Sequence, residues 1–456
     1  MTAIPSIAEF VTHATVPAPA LKVARAAFLD TIGVTLAGAV EPAAQMVQQL
    51  AASEAGAGPS RVFGTELSVN TGWAALANGT AAHALDYDDM CFVSLAHPSA
   101  PLVSTLLALG EKMVAPGRAL LESYVIGFEV ETVLGRVLNP KHYQSGWHCT
   151  STIGTIGSTA ACARVLGLDA KATSNSLAIA ASCSLGLKEN FGTMTKPLHA
   201  GLAAQNSVMA ALLAQAGFTA SERAIDGPQG LLVAMSSEHL DCESVETLGN
   251  RWEILETGIT VKLYPSCAAT HPALDAVLDL RRENHLRPEQ IESVEVQVDT
   301  ITPTLLIYDR PETGLEGKFS MPFCMAAALV DGNVGLETFE SRVHHPAIRD
   351  LRARVVMRAN PELGKGVPAL TQAVVTIACR DGRQLSRAAN GARGYPANPA
   401  SEAELKTKFM TCAQRAIPAS SAESAYECLQ NMDTVADIRS LTKHLAASVC
   451  GSPTPK

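Results

Sequence analysis

A helix of small residues that runs straight into acids and histidines constrains this chain more than any other stretch. Almost every position from 74 to 82 is Ala, Gly or another small or apolar residue, a pattern typical of a helix that packs closely against its neighbours. The chain then reads H-A-L-D-Y-D-D-M-C-F-V-S-L-A-H-P-S from His83 to Ser99. On a helix, His83, Asp86 and Asp89 are spaced at i, i+3 and i+6, so we expect their side chains to share a face.

Three carboxylates within four positions need an explanation, because ionised acids are costly to bury unless they are paired or used. One interpretation is a helix end with solvent-exposed acids. The other is a functional site, which basic residues further along favour. Lys196 stands between Thr195 and Pro197, immediately before an apolar helix predicted from Leu198 to Gly217. Its ammonium either reaches out to water or has a catalytic role.

The length of 456 residues predicts two domains. The pattern up to about residue 259 and again from Ser401 is helical, and Ser401 with Glu404 forms a capping box. Residues 260–392 instead alternate like strands in places and predict a separate α+β domain. We predict helices at Ala20–Ala37, Pro42–Glu54, Ser99–Met113, Arg118–Leu138, Ala172–Leu187 and Pro272–Asn284, strands at Ser293–Thr300 and Ala353–Met357, and a hairpin of Gln372–Cys379 with Gln384–Ala388.

Charge and composition exclude several classes of function. The net charge of −9 argues against nucleic acid as a partner, because such binding needs a basic face. No apolar run reaches membrane-spanning length, and the first residues lack the pattern of a signal peptide, so we expect a soluble cytoplasmic protein without a membrane partner. Eleven scattered cysteines without a C-x-x-C pair argue against disulfides and against a structural zinc site.

The polar residues that stand next to small-residue helices or tight loops suggest one chemistry. Two lysines and a helix N-terminus suit the carboxylates of a small polyanionic acid, while a histidine takes a proton from the carbon beside one of them. Each histidine taken singly is equally explained as a hydrogen-bonded core residue. The candidates are Asp86, Asp89, His97, His148, Lys196, His199, Lys262 and His271.

Other chemistries have less support in the sequence. The chain contains no dinucleotide-binding, P-loop or nucleophile-elbow motif. Three aspartates in a helical setting are also found at Mg²⁺–diphosphate sites of the terpenoid-synthase kind, but that chemistry needs a second acidic cluster on a later helix, and the later helices carry none.

Five ordered motifs together resemble the MmgE/PrpD family: A-H-A-L-D-Y-D-D followed by H-P-S, then G-W-H, T-K-P-L-H-A-G, Y-P-S-C-A-A-T-H and G-K-F-S-M-P-F. The resemblance implies a mainly α protein, with a large all-helical domain of residues 1–259 and 393–456 and an inserted α+β lid domain of residues 260–392. It also implies a homodimer, no cofactor and a pocket between the domains. The family's active-site positions correspond to Asp86, His97, His148, Lys196, Lys262 and His271.

We therefore expect catalytic roles for Asp86, His97, His148, Lys196 and His271. Substrate contacts are expected from Lys262, His199 and Asp89, and no metal is expected. The substrate would be a small di- or tricarboxylic acid.

Members of the family share proton movement beside a carboxylate and differ in the step that completes the reaction, being 2-methylcitrate dehydratases, cis-aconitate decarboxylases or iminodisuccinate epimerase. Met90 and Phe323 stand where the decarboxylases usually carry Thr and often carry Tyr, so the sequence slightly favours an epimerase. Dehydration, decarboxylation and a non-catalytic helical scaffold are the alternatives.

Overall fold

The computed structural model describes residues 3–236, 243–365 and 371–447. The chain divides into two compact units: unit 1 is Met1–Ile259 with Ser401–Lys456, and unit 2 is Thr260–Ala400. The predicted boundary at residue 393 therefore differs from the structure. Residues 393–400 stay with unit 2, because the Gly394 carbonyl accepts from the Val261 amide at 2.9 Å and the Arg393 amide donates to Asp275 at 2.7 Å.

Unit 1 is formed by both ends of the chain and is mainly helical. Its longer helices are Ala3–His13, Ala18–Gly38, Pro42–Glu54, Thr71–His83, Ser99–Met113, Gly117–Leu138, Cys149–Leu166, Ala170–Cys183, Thr195–Gln215, Glu402–Ala413 and Ala419–Gln430. Its short helical segments are Lys141–Gln144, Lys188–Asn190, Leu231–Ser236, Glu243–Thr247, Glu253–Glu256, Met432–Thr434, Arg439–Thr442 and Lys443–Leu445.

Small residues bring two helices of unit 1 into direct backbone contact. A Cβ atom on Gly79 would lie 2.9 Å from the Cα atom of Gly201, and one on Gly201 would lie 2.4 Å from the carbonyl oxygen of Leu76. Any larger side chain at this crossing would push the helices apart. The crossing sets the Thr71–His83 helix, which leads into the aspartates, against the Thr195–Gln215 helix, which begins beside Lys196.

Several local predictions for unit 1 need correction. The domain is not purely helical, since Ala57–Arg61 and Ser68–Val69 pair as a short antiparallel ribbon. The helix Ala3–His13 was not predicted. The helix predicted from Leu198 begins at Thr195, which puts Lys196 and His199 inside its first turns. The polar residues at the start of this helix suggest a loop, but burial of Lys196, Pro197 and His199 stabilises a helix there.

Unit 2 is an α+β unit around one mixed sheet. The strand order is Val355–Ala359, Ile291–Val298, Ala373–Cys379, Gln384–Ala389, with the first pair parallel and the others antiparallel. The predicted hairpin across Asp381 and Gly382 is confirmed, with Val375 opposite Arg387. The helical segments are Ala268–Thr270, His271–Glu283, Pro288–Gln290, Thr302–Leu305, Gly314–Gly317, Met321–Asp331, Leu336–Ser341 and Pro346–Arg352.

Two predictions about caps and cysteines can be compared with the structure. The Ser401 hydroxyl accepts from the Glu404 amide, and the Glu404 side chain accepts from the Ser401 amide, so the predicted capping box is confirmed. The nine described cysteines are free thiols, and Cys242 and Cys450 lie outside the described residues.

No single helix of the described ranges combines the length and apolarity of a membrane span; the helices Ala18–Gly38 and Pro42–Glu54 reach them only as a pair, across an 84° bend.

Candidate active site

The aspartates of the opening motif lie in a turn, and the prediction that they share a helical face with His83 is wrong. The helix ends at His83, and Asp86 has a left-handed backbone with φ of +52°. Aspartate is among the few residues other than glycine that adopt this conformation with some frequency. The turn sends the three carboxylates in different directions instead of along one stripe.

Asp88 holds two imidazoles. Its Oδ2 lies 2.8 Å from Nδ1 of His83 and 3.4 Å from Nδ1 of His97. Burial alone would raise the pKa of the Asp88 carboxyl, but the two histidines outweigh burial and hold that pKa well below its usual range. An ionised carboxylate only accepts hydrogen bonds, so Nδ1 of His83 carries the hydrogen and Nε2 is left with its lone pair.

Asp86 forms an ion pair with Lys196. Both side chains are buried, and the ammonium donates to Oδ1 of the carboxylate. The same Oδ1 lies 3.7 Å from Nε2 of His97, and the ammonium lies 5.0 Å from the centroid of the Phe191 ring. Asp86, Lys196 and Nε2 of His97 are therefore neighbours.

Four imidazoles lie in succession through this part of unit 1. The ring centroids are 4.6 Å apart between His97 and His83, 5.6 Å between His83 and His148, and 5.4 Å between His148 and His199. Nδ1 of His148 lies 3.1 Å from Nδ1 of His199, so one of the two nitrogens must donate and the other accept. His148 reaches this position as the residue that precedes the Cys149–Leu166 helix.

The buried histidines are kept neutral. Burial, followed by the charge of Lys196 and the neighbouring imidazoles, lowers the pKa of His148 well below its usual value and that of His199 to about 4. Burial also lowers the pKa of His83 to about 4, despite the opposing charge of Asp88. Nε2 of His83 and Nε2 of His148 are buried and have no hydrogen-bond partner among the described residues. Buried polar atoms without a partner need an explanation, such as a catalytic role or a bound water or ion.

Asp89 has different surroundings from those predicted. Its carboxyl is fully buried, bonds both the hydroxyl and the amide of Ser99, and stands at the start of the Ser99–Met113 helix. The Ser99 hydroxyl lies 2.6 Å from the Tyr124 hydroxyl. Burial raises the pKa of Asp89 to about 8, so this acid is largely protonated at neutral pH. The bonds to Ser99 favour a structural role for Asp89 over the predicted contact with substrate.

Lys262 and His271 belong to unit 2, where both are buried. Nε2 of His271 lies 3.1 Å from the Ser266 carbonyl oxygen, and its ring centroid lies 5.2 Å from that of Tyr264. Their predicted roles with the substrate stay predictions.

Two members of this site, His83 and Asp88, stand in the motif but were not among the predicted site residues. Their spacing of five residues fits no helical face, and only the turn at Asp86 brings them together. His83 could have been recognised as a site residue because it is a polar residue at the end of a helix of small residues.

One metal-like arrangement occurs within the described ranges: His83, Asp86, Asp88 and His97 offer ligand atoms within 4.8 Å of one another. The Lys196 ammonium already lies against Oδ1 of Asp86, where it would repel a divalent cation. The ammonium of Lys196, and not a divalent cation, therefore neutralises Asp86 in this cluster.

Comparison with known proteins agrees with the motifs. Residues 5–242 match the MmgE/PrpD N-terminal domain, and residues 264–434 match the MmgE/PrpD C-terminal domain. The chain is 27% identical to the cis-aconitate decarboxylase of Mus musculus, over 91% of this chain and 87% of the relative. It is 26% identical to that of Homo sapiens, over 91% and 88%, and 24% identical to that of Aspergillus terreus, over 95% and 93%. With both domain models matched in order, the chain is an enzyme of the MmgE/PrpD family.

Proposed function

We propose that this chain is a cofactor-independent lyase that decarboxylates a small tricarboxylic acid, with cis-aconitate as the first candidate. The observation that carries the proposal is the cluster in unit 1, where Lys196 and Asp86 lie beside the imidazoles of His97 and His148. The decarboxylase relatives support this choice of reaction.

The reaction requires one carboxylate to leave and one proton to arrive. The carboxylate on the methylene carbon of cis-aconitate leaves as CO₂, and its electron pair forms a new carbon–carbon double bond. The pair of the old double bond moves to the carbon beside another carboxylate, which takes a proton. The product is itaconate, and one proton is consumed for each CO₂ released.

The site has groups for both requirements. Lys196 supplies a buried positive charge that would hold a substrate carboxylate and stabilise the negative charge that develops beside it. His97 is oriented through Nδ1 by Asp88, which leaves Nε2, the nitrogen nearer Asp86, to carry the transferred proton.

The neutral state of the histidines fits a substrate that brings its own charge. Burial lowers the pKa of His148 well below its usual value and that of His199 to about 4. Carboxylates placed beside them would favour the protonated imidazole and raise these pKa values, so binding of the acid would favour positively charged histidines around it.

Preference for an epimerase has no support among the relatives, and one of its two arguments is weakened by the structure. Phe323 is fully buried, with its ring centroid 5.8 Å from that of Phe339 in the core of unit 2. A residue that fills a core has a packing reason to lack a hydroxyl. Met90 remains the position that favours epimerisation or dehydration, and both are kept as outcomes of the test.

The test is proton NMR of the purified protein in D₂O with cis-aconitate, citrate, 2-methylcitrate and iminodisuccinate. We expect itaconate from cis-aconitate, with one deuterium in the methylene group beside the carboxylate. A new alkene from citrate or 2-methylcitrate would replace the proposal by a dehydratase. Deuterium exchange with loss of optical activity and no alkene would replace it by an epimerase. No change in any of the four acids would contradict the proposal and point to family chemistry on a different acid.

We also propose that the protein is a homodimer, as the resemblance implies, which analytical ultracentrifugation tests. A monomer at the concentrations of the assay would contradict this.

A further inference from the structure

The turn that carries Asp86 and Asp88 is bonded by a lysine from the far end of the chain. Lys408 lies in the Glu402–Ala413 helix, and its Nζ donates to the carbonyl oxygen of Tyr87 at 2.8 Å. The same ammonium lies 4.0 Å from the centroid of the Tyr87 ring. It also lies 2.6 Å from Oδ1 of Asp30, on the Ala18–Gly38 helix. All these residues belong to unit 1.

Stability alone does not explain this pair. The side chains of Lys408 and Asp30 are 3% and 1% exposed, so both charges have lost their contact with water. Replacing a buried ion pair by apolar residues of similar size is often neutral or stabilising. The geometry indicates another role, because the Lys408 ammonium donates to the carbonyl oxygen of Tyr87 in the turn.

That carbonyl is placed where the turn most needs support. Tyr87 separates Asp86, which pairs with Lys196, from Asp88, which holds the two imidazoles. Asp86 has a left-handed backbone, which is strained for a residue with a Cβ atom. The side chains of Asp86 and Asp88 bond the turn to the site, and Lys408 bonds its backbone at the Tyr87 carbonyl.

The packing of the two helices leaves Lys408 little freedom. A Cβ atom on Gly33 would lie 3.2 Å from the Cα atom of Phe409, the residue next to Lys408. The backbones of the two helices therefore lie close together beside the ion pair. This contact sets the distance over which the lysine reaches the turn.

We propose that Lys408 is a positioning residue, which holds the Tyr87 carbonyl and thereby fixes the Asp86–Asp88 turn, with Asp30 orienting its ammonium. The assignment deepens the proposed function, on which its kinetic consequence rests. Its structural consequence does not depend on any substrate, and the two can be measured separately.

The experiment compares the double variant Asp30→Asn/Lys408→Met with the wild type. The double variant removes both charges and so leaves no unpaired ion in the core. The first readout is the Nδ1–H proton of His83 in its bond to Asp88, observed by ¹⁵N-edited NMR and assigned by its absence in Asp88→Asn. The second is kcat and KM for cis-aconitate. Lys406→Met is the matched control, because Lys406 lies on the same helix and forms an exposed pair with Glu423.

We expect the double variant to lose the slowly exchanging His83 proton signal and to lower kcat by about 10- to 100-fold, with KM little changed. Lys406→Met should leave both readouts as in the wild type. A double variant that keeps the signal, or that keeps kcat, overturns the proposal. So does a loss of kcat with the signal intact, because Lys408 would then act by another route.

Two further measurements keep the proposal open to refutation. If the double variant does not fold, Lys408→Met alone decides, since it removes the donor to the Tyr87 carbonyl while Asp30 can be neutralised by a proton; a His83 signal that persists in that variant overturns the proposal. If the wild type turns over none of the four acids, the proposed function fails, and the His83 signal alone tests whether Lys408 holds the turn.

Discussion

Asp88 and Asp89 are adjacent in the chain and are both completely buried, yet their carboxyls are in opposite states. Asp88 faces two imidazoles, which hold its pKa well below the usual range. Asp89 faces the Ser99 hydroxyl and lies near other acids, and burial raises its pKa to about 8. Burial acts on both in the same direction, so the partners decide which carboxyl is ionised.

We call the side of the turn with Asp86 and Asp88 the reacting side, as the proposed function implies, and the side with Asp89 the supporting side. Asp86 and Asp88 bind cations and imidazole N–H groups, while Asp89 bonds the start of a helix. Glu131 belongs to the supporting side as well, since burial, followed by the charge of Asp89, raises its pKa to about 8. A neutral acid can donate as well as accept, which suits a site built of hydroxyl groups.

The largest effect is expected on the reacting side, at Lys196. Lys196→Ala should lower kcat/KM for the substrate by about 10³-fold, because it removes the buried charge that we assign to a carboxylate. Circular dichroism and the melting temperature should still show a folded protein. Lys171→Ala, which breaks an exposed pair with Glu222, is the control and should change neither quantity. Full activity in Lys196→Ala would remove the role given to this lysine.

Matched substitutions of the two neighbouring aspartates test the comparison directly. Asp88→Asn should lower kcat by about 10²-fold or more, because an amide no longer fixes the hydrogen on Nδ1 of His83 and His97. Asp89→Asn should change kcat by less than about threefold, since an amide can accept from the Ser99 amide and donate to its hydroxyl as the neutral acid does.

Steady-state kinetics at pH 7 measure both variants. Equal losses in Asp88→Asn and Asp89→Asn would break the distinction between the two sides of the turn.

Substitution of His97 should lower the turnover rate more than substitution of His148. His97→Asn is expected to slow turnover by about 10²-fold, as expected for a residue that transfers the proton. His148→Asn should have a smaller effect, of about tenfold, if His148 contributes through charge and hydrogen bonding. Single-turnover rates and deuterium incorporation from D₂O measure the proton step. An intact deuterium rate in His97→Asn would assign the transfer to another group.

Much of the fold could be predicted because its determinants are local. The cap at Ser401 and the hairpin across Gly382 depend on residues close in sequence, and the structure confirms both. The small-residue helix before His83 was also predicted, and Asn70 caps it in the structure. The pairing of Ala57–Arg61 with Ser68–Val69 was not predicted, because the first strand is short and contains Gly and Pro, which disfavour a strand.

The site was predictable by residue type but not by pairing. Asp86, His97, His148 and Lys196 could be named from motifs, whereas the bond between His83 and Asp88 depends on a left-handed turn that no periodicity reveals. The partner of the turn's backbone, Lys408, is more than 300 positions away from it. Lysines are common in helices, so the bond between Lys408 and the Tyr87 carbonyl can be recognised only in the tertiary structure.

The smallest effect is expected on stability as a function of pH, and it concerns the supporting side. The pKa of Asp89 is raised to about 8 in the folded protein, so between about pH 4 and pH 8 the folded state binds more protons than the unfolded state. Asp89 therefore contributes stability that is present at low pH and is lost as the pH rises towards 8. Asp89→Asn removes this dependence.

Urea unfolding at pH 6, 7 and 8 should show the wild type losing on the order of 1–3 kcal/mol relative to Asp89→Asn over that range. His83 has its pKa lowered to about 4, so it is destabilising as the pH falls from about 6.5 to 4; it titrates in both proteins and cancels in the comparison. Glu131 titrates in both proteins and cancels in the comparison, apart from its coupling to Asp89. A difference that is constant with pH would mean that the Asp89 carboxyl is ionised throughout, and that the two adjacent aspartates are alike after all.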